Sequence, residues 1–396
     1  MVKSNRQKVK NIYMDYASSA SPNPSSIHLQ GVGAKNDLES ARKMVADVFS
    51  ARPDSVIFTS GGTESNNLAI QGIILGWWQK ERKSGKKLNA KYLPHIVTTN
   101  IEHPSVLETV GMLKERGQAE VTILPVEVSG IVDPKKIRKA IKKNTVLVSV
   151  MYANNEIGTI EPIREIAKEI RHYRKENETE YPFFHTDAAQ APNYLELNTE
   201  RLGVDMLTLT GAKIPEAGRV GVLYKRKSVL LAPVMAGGDQ EFGLRAGTES
   251  IFEITKFAKA LRRAESEREK ESKRLLGIRD YLYKKIQKIV PEVIINGEME
   301  NRLPNNLNIT IPHIPSDLLV IELSSRGIMI SEKSACKSGE EKASHVIVAI
   351  REKEGKNSGD TGSLRFSLGR DTTKADIDYT LKALSEILIK HKKWYH

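Results

Sequence analysis

Short runs rich in Val, Ile, Phe and Thr at 55–60, 95–100, 120–124, 146–151, 183–187, 206–210 and 220–224 read as buried strands. Between them, apolar residues recur at helical spacing near 64–79, 104–116, 134–142 and 163–175. Strands and helices alternating in this way build a mostly parallel sheet covered by helices, so the expected class is α/β with a seven-stranded sheet. From 249 to about 289 the pattern becomes one long, highly charged helix, with a break expected near Gly277. Short elements follow at 293–295, 306–311, 317–326, 328–331, 345–352, 363–368 and 374–394, which suit a smaller α+β lobe. The expected division is a large domain over 12–255 and a small C-terminal domain over 256–396, with segment 12–30 a candidate to pack on the latter.

Composition narrows the class. Hydrophobic residues at 39% and charged residues at 28% describe a globular chain with room for a buried site in 396 residues. No apolar run reaches the ~20 residues of a membrane helix, and the basic start of the chain has no apolar stretch after it. A cytoplasmic, membrane-free protein is the expectation. Net charge is +12, but the basic residues are interleaved with acidic ones, as over 262–273, so no direct nucleic-acid partner is expected. Cys336 is the only cysteine, which excludes an internal disulfide and any multi-cysteine metal site within one chain; no metal is expected.

Four segments carry candidate chemistry. In Thr59-Ser-Gly-Gly-Thr-Glu-Ser-Asn-Asn67 a strand ends in two glycines and a hydroxyl just before a helix, an arrangement suited to phosphate. In His185-Thr-Asp-Ala-Ala-Gln190 an acid closes an apolar strand, where a buried carboxylate needs a positive partner such as a protonated pyridine nitrogen. In Leu207-Thr-Leu-Thr-Gly-Ala-Lys-Ile214 a lysine follows a strand and a small-residue turn, a place for an amine that attacks an aldehyde. In Ser334-Ala-Cys-Lys-Ser-Gly339 the cysteine lies between Lys333 and Lys337, whose charges favour the thiolate.

Taken in order with Ile12-Tyr-Met-Asp-Tyr-Ala17, Asn23-Pro-Ser-Ser-Ile-His28, Glu102-His-Pro104, Asn154-Asn-Glu-Ile-Gly158, Gly243-Leu-Arg-Ala-Gly-Thr-Glu249, Leu303-Pro-Asn-Asn-Leu-Asn308 and Ser363-Leu-Arg-Phe-Ser-Leu-Gly-Arg370, these segments are specific. Over nearly its whole length the sequence resembles the cysteine desulfurases of the NifS/IscS branch, in the class V aminotransferase superfamily. The resemblance implies the fold type I architecture of pyridoxal 5'-phosphate-dependent transferases. It implies Lys213 as the Schiff-base lysine, Asp187 as partner of the pyridine nitrogen and His103 as the imidazole over the ring, able to shuttle protons. Asn155 and Gln190 match positions beside the ring, Asn155 also reaching substrate. Gly62, Thr63 and Thr210 match phosphate ligands, and Thr248 one lent by the second subunit of a homodimer. Arg365 matches the guanidinium that holds the carboxylate of L-cysteine, and Cys336 the nucleophile that receives sulfur as a persulfide.

The implied activity is removal of sulfur from L-cysteine, giving L-alanine and sulfur for an acceptor such as an iron-sulfur scaffold or a thiolation pathway. The sequence departs from the family in a chain shortened between Ala17 and Asn23, in Ala212 before the lysine, in Ile214-Pro-Glu-Ala-Gly-Arg219 after it, in Lys333, and in Asp239 and Phe242. The alternatives are a catalytically weak scaffold of this fold and a related enzyme acting on selenocysteine or another amino acid.

Overall fold

The computed structural model describes residues 12–84, 93–332, 344–352 and 362–391. A seven-stranded sheet forms from β1 (Val56–Thr59), β2 (His95–Thr99), β3 (Glu120–Leu124), β4 (Thr145–Ser149), β5 (Phe183–Asp187), β6 (Met206–Thr210) and β7 (Gly221–Lys225). Their order is β1-β7-β6-β5-β4-β2-β3. β7 runs antiparallel to both neighbours, and the remaining pairs are parallel. The expected strands therefore form one mostly parallel sheet.

Buried strands of this kind carry apolar residues toward both faces, and two clusters cover them. Helices α2 (Gly62–Lys83), α3 (Pro104–Glu115), α4 (Pro134–Ala140), α5 (Ile163–Glu176) and the short α6 (Thr199–Leu202) supply the layers. Two histidines inside the sheet are satisfied by hydroxyls of adjacent strands. His95 meets Thr145 and Thr122, and His185 meets Ser149 and Thr208, each ring nitrogen within 3.1 Å of its partner. Burial lowers their pKa values to about 4 and about 3, so both stay neutral structural groups.

Two helices were not among the expected elements, the short α6 and a long one near the start of the chain. α1 (Leu29–Phe49) buries Leu38, Ala41, Val45 and Phe49, spaced three and four apart on one face. That stripe packs in the same core as Phe257 and Leu261 of α7 (Ile251–Ile289). α7 is continuous for 39 residues, with no break at Gly277. A helical glycine costs only ~1 kcal/mol, and the burial of Leu275 and Leu282 on either side outweighs that.

α7 leaves the large core at Ala264 and enters a second one at Leu275, so a single rod supports both. The second core lies around an antiparallel sheet of β8 (Ile294–Ile295), β9 (Asn306–Thr310) and β10 (Leu364–Ser367), in the order β10-β9-β8. Helices α8 (Ser316–Ser324), α9 (His345–Glu352) and α10 (Lys374–His391) complete the chain. The stretch 328–331 forms no strand; Ser331 alone bridges to Arg365. No helix among the described residues is long and apolar enough to cross a membrane.

Candidate active site

In a sheet of this type the functional loops gather beyond the carboxyl ends of the parallel strands. Here those ends open on a cavity of about 710 Å3. Nine candidates from the sequence line it: Gly62, Thr63, His103, Asn155, Asp187, Gln190, Thr210, Lys213 and Arg365. They come from six separate segments, and Arg365 comes from the small sheet. Thr248 is exposed and does not line the cavity. Cys336 and its flanking 333–343 lie outside the described residues.

Each position has a local cause. Gly61, the N-cap of α2, offers no side chain to the first amides of the helix, which are therefore left for an anion. A Cβ at Gly62 would stand 3.2 Å from Cβ of Thr210, so glycine lets the start of α2 close on the end of β6. Lys213 ends a single helical turn, Gly211–Lys213, directly after β6. Its carbonyl accepts the Asn193 Nδ2–H at 2.7 Å, which holds the backbone of that turn.

Asp187 closes β5 at 5% exposure. Its Oδ1 accepts the Ala189 N–H at 2.9 Å and its Oδ2 the Asn66 Nδ2–H at 2.7 Å. Both are neutral donors, so the carboxylate still calls for a cation from the cavity side. His103 caps α3, its Nδ1 accepting the Ser105 N–H at 3.1 Å. Burial lowers its pKa, opposed by the charge of Asp187 and reinforced by that of Lys213. Arg365 donates from Nη1 to the Asn155 carbonyl at 3.1 Å, joining β10 to the loop after β4.

Beneath His103 lies Glu102, fully buried, its Oε1 accepting from Thr99 Oγ1 at 2.7 Å and from Met151 N at 2.9 Å. These bonds tie the turn carrying His103 to the ends of β2 and β4. Burial pushes the Glu102 carboxyl up to about 8. A group raised in the folded state contributes stability that is full below its unfolded value of 4.5 and is lost as pH rises through about 8. Glu102→Gln, which cannot ionise, is therefore expected to gain in melting temperature relative to wild type as pH rises from acid to alkaline. A pH-independent difference between the two proteins would refute this.

The rim is charged. Arg370 pairs with Glu267 of α7 at 2.9 Å, and Arg274 with Glu271 at 2.7 Å. Arg274 also donates to the carbonyls of Gly369, Arg370 and Thr372, holding the turn that follows β10. Sequence reasoning did not single out Asn66, Ser105 or Glu102. Asn66 stands four residues after Gly62 and thus on the same helix face, which is the signal that was present.

The donor set fits pyridoxal phosphate: an uncapped helix start for phosphate, a buried carboxylate lacking a cationic partner for a pyridinium, and a lysine at the cavity for an aldehyde.

Fold and site define an aminotransferase of class V, and the model of that family matches residues 4–380. Cysteine desulfurase IscS of Dictyoglomus turgidum is 41% identical over 93% of this chain and 88% of its own. A solved NifS-like protein superposes with a TM-score of 0.80 at 32% identity, covering 93% of this chain and 92% of its own. SspA in complex with cysteine gives a TM-score of 0.68 at 31% identity over 87% and 90% of the two chains. The chain belongs to the cysteine desulfurase family, NifS/IscS-like, within the class-V aminotransferases.

Proposed function

We propose that this protein removes sulfur from L-cysteine with pyridoxal 5'-phosphate bound in the cavity, leaving L-alanine and a persulfide on Cys336. The observation that carries this reading is the convergence of nine residues from six segments on one cavity that meets the needs of that cofactor. When bound, pyridoxal phosphate supplies an electron sink for the substrate's α-carbon. The chain does the rest.

Gly62, Thr63 and Thr210 would hold the phosphate, Asp187 the ring nitrogen, and Lys213 the aldehyde carbon. His103, Asn155 and Gln190 confine the ring. The guanidinium of Arg365 takes the cysteine carboxylate, for which a two-pronged donor is suited. The Lys213 amine at the cavity would be the group that moves the substrate's α-proton. Cys336 then attacks the substrate sulfur as thiolate: the substrate carbon–sulfur bond breaks, a sulfur–sulfur bond forms on Cys336, and alanine leaves. No external oxidant is needed, since the sulfur changes partner and the substrate carbon takes up the electron pair and a proton. An acceptor thiol or an iron-sulfur scaffold then removes the outer sulfur.

A homodimer belongs to this reading. Thr248 is exposed, away from the cavity of its own chain, and Leu230, Met235, Phe242 and Phe252, which bracket it in sequence, are exposed large apolar groups suited to a second copy. The proposed setting is the cytoplasm, where a lone cysteine stays reduced.

Purified protein given pyridoxal phosphate, L-cysteine and a reductant is expected to release alanine and sulfide in equal amounts. Cys336→Ala should abolish both. Undiminished alanine release from that variant would overturn the sulfur-relay reading. Asp187→Ala should weaken retention of pyridoxal phosphate on the order of a hundredfold, as loss of a buried charge partner does, read by absorbance titration; unchanged affinity would remove Asp187 from the cofactor site.

A further inference from the structure

His103 is held by more than its place at the head of α3. A backbone N–H can only donate, so the Nδ1 that accepts from Ser105 N carries no proton. The neutral ring therefore keeps its proton on Nε2. The Ser105 hydroxyl stands 2.8 Å from the same Nδ1. Its own oxygen accepts the Asn66 Nδ2–H at 2.8 Å, which turns the single hydroxyl proton toward the imidazole.

Asn66 in turn is oriented by Asp187. The Asp187 carboxylate only accepts, so it faces the amide nitrogen, at 2.7 Å, and not the amide oxygen. The two hydrogens of that nitrogen serve Asp187 and Ser105 together. Asn66 is 1% exposed, and its Oδ1 is buried without a partner. A side chain that leaves an acceptor unmet in order to present both of its N–H groups is held there by the carboxylate.

We propose that Asn66 and Ser105 are positioning residues that connect Asp187 to His103, selecting the Nε2–H tautomer of the imidazole and opposing proton uptake at Nδ1. The inference rests on the cofactor reading given above. It alters the expectation that His103 shuttles protons: in this state the ring is a hydrogen-bond donor at Nε2, and protonation at Nδ1 requires the bond from the Ser105 N–H to break and the Ser105 hydroxyl to turn away. Hydrogen-bond chains of this kind strengthen along their length in a buried setting, so the two ends sense each other. Among the described residues, Glu156 from the loop after β4 favours protonation of the ring as Asp187 does, and Lys213 and His345 of α9 oppose it as burial does.

The test is nitrogen NMR on the full chain labelled at histidine nitrogen, before and after addition of pyridoxal phosphate. His103→Gln identifies the signals of this ring among the nine histidines. Wild-type protein without cofactor is expected to show the Nε2–H tautomer. Ser105→Ala and Asn66→Ala should each raise the titration midpoint of His103 by about one pH unit, the equivalent of one ordinary hydrogen bond. Ser105→Thr, which keeps the hydroxyl, should restore the wild-type midpoint. The acid limb of kcat/KM for cysteine should move by the same amount in the two disruptive variants. An Nδ1–H tautomer in the wild type, or a midpoint unmoved in Ser105→Ala, would overturn the relay. Sulfide release decides the functional reading separately, because the tautomer is measured without turnover.

Discussion

Lys213→Ala is expected to lower cysteine desulfuration on the order of a thousandfold or more and to remove the visible absorbance that lysine-bound pyridoxal phosphate gives. The lysine has two tasks in the proposed chemistry, joining the aldehyde and moving the α-proton, and loss of a positioned acid–base group alone costs about 10²–10⁴-fold. The structure supports a large effect because no second amine lines the cavity among the described residues. The Lys213 backbone is fixed by the turn after β6 and by Asn193. Spectra and single-turnover alanine formation check the two tasks separately. A variant that keeps its absorbance and loses less than tenfold in rate would assign the lysine's role elsewhere.

The second large effect concerns stability. Arg42 of α1 and Glu241 are buried at 2% and 4% exposure and meet through two bonds, of 2.8 Å and 2.7 Å. Arg42 also donates to the Val56 carbonyl, and Glu241 accepts the Phe58 N–H, so the pair is bonded to the edge strand β1. Glu241→Ala leaves the buried guanidinium only the half-exposed Glu39, at 3.3 Å from its Nε, as counter-charge and should cost about 3–5 kcal/mol, measured by reversible denaturation.

Replacing both residues by apolar groups of similar volume should cost much less, since a well-packed pair avoids desolvating two charges. Equal losses in the single and double variants would mean that packing, and not the stranded charge, sets the cost. The pair holds backbone as well as charge. Glu241 and Phe242 both adopt positive φ, 46° and 61°, which side-chain-bearing residues take only when their surroundings compel it. Phe242, a departure from the family noted in the sequence, covers the Arg42 guanidinium at 5.1 Å. The same loop reaches α2 through Arg245 and Glu64 at 2.9 Å, so its collapse would disturb the phosphate end of the cavity.

Much of this was legible in the chain. The seven strands of the large sheet announce themselves because strands buried on both faces must be nearly continuous in apolar and β-branched residues, and 183–187 and 206–210 are bounded by turn chemistry as well. Most of the cavity residues were legible because they end or follow strands of the large sheet, where an α/β sheet places its chemistry, whereas Arg365 lies within β10 and was given by its motif. Helix α1 was not, because its buried stripe is diluted by polar residues, which fill half of the positions between Leu38 and Phe49. The continuity of α7 was not, because a glycine is a local signal of a break while the packing that overrides it is remote in sequence.

The sequence by itself therefore determined the alternation of strands and helices, the identity of the chemical groups and their order along the chain, since these depend on local propensity and on motifs a few residues long. Only the tertiary structure decided which groups meet. Arg365 reaches the loop of Asn155 across 210 residues, and Asn66 spans 121 residues to Asp187. Such pairings depend on strand order and on the path of α7 between two cores, which no short stretch of sequence encodes. The tautomer of His103 is likewise a tertiary property: it follows from an amide that a distant carboxylate has turned.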